Sequence, residues 1–129
     1  MTSRRQLILR LSLSLPLLLA STLSLAACES TPSKATMAAR ESTKSACASL
    51  QQLADQLALP RPSSLTDPYY QTAEQYLNTA TNRAADAAQQ DHDYQEFADT
   101  LHRAAEIWQV TSTLTEAEPL IRQARTEKC

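Results

Sequence analysis

Glycine is absent from all 129 residues of this chain. Average usage of about 7% would place roughly seven glycines in a domain of about 100 residues. Phosphate-binding loops, nucleophile elbows and glycine-rich hairpins need this residue, so the functions built on them are excluded. Alanine and glutamine are abundant, while valine and isoleucine are scarce, and this composition favours helices. We therefore predict an all-α fold.

The first 27 residues have the organisation of a secretory signal peptide. Arg4, Arg5 and Arg10 form a basic head, and residues 11–25 are uncharged and rich in leucine. The apolar run is also close to the lower limit for a helix that spans a bilayer, so a permanent membrane anchor is the alternative. The Arg4-Arg5 pair resembles a twin-arginine export signal, but the leucine-rich run favours the general secretory route.

The apolar run ends in Leu25-Ala26-Ala27-Cys28, which resembles the lipobox of bacterial lipoproteins. In that family the small residues fit the cleft of the signal peptidase, and the cysteine thiol accepts a diacylglyceryl group as a thioether. The resemblance implies cleavage after residue 27 and lipidation of Cys28 by diacylglyceryl and N-acyl chains such as palmitate, with no other cofactor. Glu29 differs from the aspartate of inner-membrane retention signals, so we expect an outer-membrane lipoprotein that faces the periplasm.

Cleavage would leave an acidic chain over residues 28–129, a length that fits one small domain. Loss of Arg4, Arg5 and Arg10 leaves 9 basic residues against 14 acidic ones, a formal net charge of −5. A domain with this balance lacks the electrostatic footprint for nucleic acid or anionic lipid heads. We expect no nucleic-acid partner, and contact with the membrane through lipid alone.

A short tether precedes the predicted domain. Residues 28–35 are mostly small and polar and include Pro32, which is typical of a linker, and the helical domain covers residues 36–129. The first helix is predicted near residues 36–59 and ends before Pro60. Its apolar face has three- and four-residue spacing and comprises Cys47, Leu50, Leu53, Ala54 and Leu57.

The second helix has a clear start in the sequence. Asp67 is its predicted cap and Pro68 its first residue, and it runs to about residue 90. The predicted buried stripe is Tyr70, Ala73, Leu77, Ala80, Ala84 and Ala87.

Periodicity alone leaves open whether the second and third helices are continuous, since only Asp91 interrupts the stripe. We favour a turn at residues 90–93, because Asp93 with Glu96 can cap a new helix and a hairpin buries both stripes. The third helix then covers residues 94–113.

A short fourth helix is predicted near the end of the chain. Thr115 followed by Glu118 indicates its start, and Pro119 fits its first turn. Its inner face comprises Leu120, Ile121 and Ala124. The predicted architecture is a small four-helix bundle, or three helices plus a packed C-terminal tail.

Lipidation of Cys28 would leave Cys47 and Cys129 as an even pair in an oxidising compartment. We predict a disulfide between them, which would tie the first helix to the end of the chain. The alternative is two unpaired cysteines, one in the core and one at a frayed terminus.

Two groups of residues combine histidine with carboxylates, namely Asp91-His92-Asp93 and the helical set Asp99, His102 and Glu106. The helical set lies on one face at three- and four-residue spacing, which suits either a weak metal site or a salt-bridged surface. Firm metal sites need three ligands and a supporting shell, so we predict no metal site. The sequence indicates no catalytic residue, and we expect a protein that is not an enzyme.

Four aromatic residues could form either a binding surface or part of the core. They are Tyr69, Tyr70, Tyr76 and Trp108. Aromatic side chains at helical spacing are more often core residues with their polar tips at its edge, so we favour the core.

Length, lipobox, helical pattern and the Cys47 and Cys129 pair together resemble the pilotins of type II secretion systems. These small lipoproteins bind the secretin subunit and bring it to the outer membrane. The resemblance implies an envelope-protein partner, a secretin in that case, and transfers no binding residues. A lipoprotein module that binds a small ligand, a metal or a foreign enzyme is the alternative.

Overall fold

The computed structural model describes residues 32–129, and residues 34–129 form a single unit. The predicted signal peptide over residues 1–27 and the lipidation site Cys28 lie outside the described residues. Four α-helices and one 3₁₀ turn follow in order: α1 Lys34–Leu57, α2 Pro68–Gln90, the 3₁₀ turn His92–Tyr94, α3 Gln95–Thr111 and α4 Leu114–Lys128. The described part of the chain contains no strand, which confirms the predicted all-α four-helix fold.

Each helix packs against the next one in the chain, and α4 returns to α1. Of these four interfaces, the one between α1 and α2 is the most extensive and the one between α1 and α4 is the smallest. Alanines lie on the buried face of α2, for example Ala73, Ala80 and Ala84. Their small side chains leave room for the backbone of α1 to pack close to that of α2. The largest fully buried side chains are Phe97, Leu50, Leu53, Leu77 and Leu101.

The ends of α1 differ from the prediction by two residues. The helix begins at Lys34 instead of residue 36, so the last two residues of the predicted tether are helical. It ends at Leu57 instead of residue 59, although the amide of Ala58 still donates to the carbonyl of Ala54 at 3.1 Å. Leu59 precedes Pro60, and the proline ring disfavours a helical conformation at the preceding residue.

The predicted start of α2 matches the structure. The carboxylate of Asp67 accepts a hydrogen bond of 2.9 Å from the amide of Tyr69, and Pro68 is the first helical residue. One stripe position is corrected: Tyr69 is buried and Tyr70 is half-buried. The hydroxyl of Tyr70 instead donates a 2.8 Å hydrogen bond to the carbonyl of Pro62.

The turn between α2 and α3 is present, so the two helices are not continuous. Its capping residue is Asp91 and not Asp93, because Asp91 is extended and its carboxylate accepts from the amide of Asp93 at 3.1 Å. The residue that interrupts the apolar stripe therefore also ends α2 and caps the turn.

The start of α4 is also corrected. The helix begins at Leu114, and Pro119 lies inside it instead of in the first turn. Buried residues at three- and four-residue spacing, Leu114, Ala117, Ile121 and Ala124, explain the earlier start, because the first of them already packs on the core. Pro119 cannot donate to the carbonyl of Thr115, and Thr115 is exposed to solvent.

None of the helices within residues 32–129 combines the length and apolar character needed to cross a membrane.

Candidate functional site

The surface between α1 and α4 carries three neighbouring cavities of about 430, 370 and 270 Å³. The first two share Cys47 and Cys129, and the last two share Arg122 and Arg125, so the cavities form a continuous surface that we call the α1–α4 groove. Its lining on α1 and the loop that follows is Arg40, Thr43, Lys44, Cys47, Gln51, Ala54, Leu57, Ala58 and Arg61. Its other lining residues are Tyr94, Glu118, Ile121, Arg122, Arg125, Thr126, Glu127, Lys128 and Cys129.

Helical spacing explains why these residues share one surface. Most lining residues of α1 recur every three or four positions, and Glu118, Arg122 and Arg125 do so on α4. From Arg40 to Ala58 the groove follows about 27 Å of helix axis at about 1.5 Å per residue. The groove therefore runs along most of α1.

Three contacts link α1 and the loop after it to α4 and the terminal residue Cys129. The disulfide between Cys47 and Cys129 has its Cα atoms 5.6 Å apart, so the predicted pair is joined in the structure. Nη2 of Arg125 donates a 2.8 Å hydrogen bond to Oε1 of Gln51. Arg61 forms an ion pair with Glu118.

The groove is basic, although the domain as a whole is acidic. Residues 32–129 contain nine lysines and arginines, and six of them line the groove. The same residues contain thirteen aspartates and glutamates, of which only Glu118 and Glu127 line it. Folding has therefore separated charges that are mixed along the sequence.

Most of these cations have no carboxylate partner. Among the residues that the structure describes, Arg61 is the one groove cation in an ion pair. Arg125 is bound to the neutral amide of Gln51, and Nζ of Lys128 lies 5.0 Å from the centre of the Tyr94 ring. The groove thus presents positive charge that the fold itself leaves largely unneutralised.

The histidine groups lie outside the groove. Nε2 of His102 is 3.2 Å from Oε1 of Glu106, and both side chains are more than 60% exposed. Asp99 accepts a hydrogen bond from Gln95 instead of joining them, and Asp91 caps the turn beside His92. Within residues 32–129, no set of three or more histidine, cysteine or acidic side chains is placed to hold a metal ion.

The four aromatic residues belong to the core or its edge. Tyr69 and Trp108 are each 7% exposed, while Tyr70 and Tyr76 are half-buried and pack against the core. The rings of Tyr69 and Tyr70 meet edge to face with their centres 5.0 Å apart. These residues do not form a shared binding surface.

Sequence reasoning predicted the disulfide but missed the groove around it. Arg40 and Lys44 lie on the α1 face that carries Cys47, and Arg122 and Arg125 precede Cys129 at helical spacing. A disulfide between the two cysteines brings these basic faces together. The two basic helix faces and the cysteine pair that joins them are present in the sequence, but the acidic net charge gave no indication of a basic surface.

Comparison of the chain with protein-family models, with curated proteins and with solved structures finds no match.

Proposed function

We propose that this chain is a lipid-anchored interaction protein of the bacterial envelope, facing the periplasm, that holds a partner protein in the α1–α4 groove. The observation that carries the proposal is the charge of the groove. Six cations line it, and among the described residues only Arg61 is paired with a carboxylate. In protein interfaces a positive patch on one partner meets a negative patch on the other, so a basic groove can select a partner by charge. A bundle with this surface needs no catalytic group to function.

The anchor in this proposal is the lipid on Cys28. Its support is the sequence order of basic head, apolar run and Leu25-Ala26-Ala27-Cys28. The six residues from Cys28 to Ser33 connect the lipid to α1 and reach at most about 20 Å when extended. The domain would therefore stay close to the membrane surface.

A pilotin is the specific candidate within this class. The support is a lipobox, a domain of about 100 residues, four helices and a disulfide, the features on which the resemblance rests. On this proposal the partner is a secretin subunit, and the lipoprotein brings it to the outer membrane.

The test of the anchor is metabolic labelling with a tagged fatty acid. The full chain and a Ser30→Ala control should both be labelled and should sediment with the outer membrane. Cys28→Ser should lose the label. Equal labelling of Cys28→Ser and the control would refute the lipid anchor.

The test of the partner is affinity purification from cross-linked native membranes. A stoichiometric secretin subunit supports the pilotin proposal, and a different stoichiometric envelope protein supports an interaction protein that is not a pilotin. A monomer that binds a metal or a small ligand and no protein would contradict the proposal.

A further inference from the structure

The disulfide between Cys47 and Cys129 is accessible from two cavities. Both cysteines line the cavities of about 430 and 370 Å³ on the surface of the groove. Cys129 is exposed and Cys47 is half-buried. Exposed disulfides are in general easier to reduce than enclosed ones, and regulatory and catalytic disulfides belong to this exposed group. A thiol in solution can therefore reach this bond without unfolding of the domain.

The same two cavities surround the disulfide with positive charge. The cations that line them are Arg40, Lys44, Arg122, Arg125 and Lys128. Among the described residues, Glu127 is the one carboxylate side chain in that lining. Thiol–disulfide exchange consumes one thiolate and releases another, and neighbouring cations stabilise the thiolate form of a cysteine. The groove cations therefore favour both the approach of an attacking thiolate and the departure of the one that is released.

The last turn of α4 depends on this bond for its position against α1. The buried side chains of α4 end at Ala124, and none of residues 125–129 is buried. The interface of α4 with α1 is also smaller than its interface with α3. Besides the disulfide, a hydrogen bond from Arg125 to Gln51 joins the last turn to α1. Cleavage of the disulfide would therefore release the last turn, while α3 holds the rest of α4 in place.

We propose that the Cys47–Cys129 bond is a thiol–disulfide exchange site, promoted by the groove cations, at which a dithiol reductant releases the last turn of α4 from α1. The proposal goes beyond the proposed function, because it does not depend on what the groove binds. Both cysteines line the groove, so the redox state of the bond also determines the shape of the groove at this end.

The greater exposure of Cys129 determines the order of the reaction. The first thiolate of the reductant attacks Sγ of Cys129, forms a mixed disulfide with it and breaks its bond to Cys47. Cys47 leaves with the electron pair as a thiolate, and Lys44 lies one helical turn before it. The second thiolate of the reductant then attacks the mixed disulfide, which releases Cys129 and leaves the reductant as a disulfide. Two electrons pass to the protein, and each cysteine takes up a proton from solvent.

The test is the rate at which dithiothreitol reduces the folded full chain in detergent, with free thiols alkylated at each time point and counted by mass spectrometry. The reference is the same chain unfolded in urea. We expect the rate to rise in proportion to the dithiothreitol concentration and to lie within about tenfold of the rate in the unfolded chain. A greater difference would show that the bond opens only after the domain unfolds, and would overturn the proposal.

Two charge-matched variants test the part played by the groove cations. Arg40→Gln with Lys44→Gln removes two cations that line a cavity with Cys47, and Arg83→Gln with Arg103→Gln removes two cations outside the groove. We expect the first variant to be reduced about threefold more slowly than the wild type, because the departing thiolate loses its neighbouring charges. The second should keep the wild-type rate. An unchanged rate in the first variant, or equal slowing in both, would overturn the proposal that the groove promotes exchange.

A monothiol identifies the sulfur that is attacked. Reduced glutathione forms a mixed disulfide but has no second thiol with which to resolve it, so rapid quenching with acid preserves the product for mass spectrometry. We expect glutathione on Cys129. Glutathione mainly on Cys47 would overturn the proposed order of attack.

Nuclear magnetic resonance of the oxidised and reduced wild type tests the structural consequence. Reduction should shift the amide signals of residues 125–129 and of α1 around Cys47, while the signals of α2 keep their positions. Loss of dispersion throughout the spectrum would show global unfolding, and unchanged signals of residues 125–129 would show that the last turn stays in place. Either result would overturn the proposal, and neither bears on labelling of Cys28 or capture of a partner.

Discussion

Cys47 and Cys129 are 82 positions apart in the sequence, yet a disulfide joins them and their Cα atoms lie 5.6 Å apart. Cys47 is in α1 and Cys129 directly follows α4, so the bond fixes the end of α4 against α1. α4 has 15 residues and contributes four buried side chains. An isolated helix of that length is marginal in water, so the covalent bond has a large share in docking it.

Removal of the disulfide should therefore destabilise the domain strongly. We expect Cys129→Ser to lower the free energy of unfolding by about 3 kcal/mol and Tm by roughly 10 °C or more, measured by calorimetry. The double variant Cys47→Ser with Cys129→Ser is the control and should have the same Tm, because the same bond is lost. An unchanged Tm, or free alkylation of both thiols in protein taken from the periplasm, would contradict the bond.

Tyr69 and Tyr70 form a matched pair for a second prediction. The hydroxyl of Tyr69 is buried without a hydrogen-bond partner among the described residues, whereas that of Tyr70 donates to the carbonyl of Pro62 at 2.8 Å. Tyr69→Phe should leave the free energy of unfolding unchanged or raise it by up to about 1 kcal/mol, because no bond is lost and a buried polar group is removed. Tyr70→Phe should lower it by about 1 kcal/mol. Urea titration measures both changes, and the reverse order of stability would refute the assignment.

Ser112 takes the left-handed conformation after α3, with φ of 52°. Glycine adopts this conformation without steric cost, but the chain contains none. Ser112→Gly should therefore stabilise the domain by about 1 kcal/mol and raise Tm by about 4 °C or more. Ser112→Ala is the control, because alanine keeps the steric cost, and its Tm should stay close to that of the wild type. A lower Tm for Ser112→Gly would contradict this account of the turn.

Metal removal should not affect the fold. The His102 and Glu106 pair is exposed, and the part of the chain from residue 32 to 129 groups no three ligands in one place. We expect circular dichroism to show a dominant helical spectrum that does not change when a chelator is added. A large loss of helical signal on chelation would indicate a structural metal site at the histidine groups.

The sequence was sufficient to predict a helix end where the residues that determine it lie within one turn of each other. Asp67 with Pro68 predicted the start of α2, because a side-chain cap and a fixed φ act within one turn. The prediction that Pro119 lies in the first turn of α4 was wrong, because tertiary packing determines where that helix begins. Burial of Leu114 adds a turn before the proline, and a rule for isolated helix ends does not include that contribution.

The groove could not be derived from local pattern or net charge. Lys44 and Arg122 are far apart in the sequence, and an acidic total gives no information on where the basic residues meet after folding. Only the contact between α1 and α4 brings them together. The predicted disulfide was the one long-range constraint that the sequence offered, and it connects the two helices that form the groove.

The most direct test of the central claim places a photo-cross-linking amino acid at Thr126, an exposed neutral residue of the groove, in cells that make the full chain. The control places it at Gln109, an exposed residue of α3 outside the groove. We expect illumination to join the Thr126 variant to one envelope protein, which mass spectrometry identifies, and the Gln109 variant to give no such product. The same product from both positions, or a product from Gln109 alone, would contradict a partner bound in the α1–α4 groove.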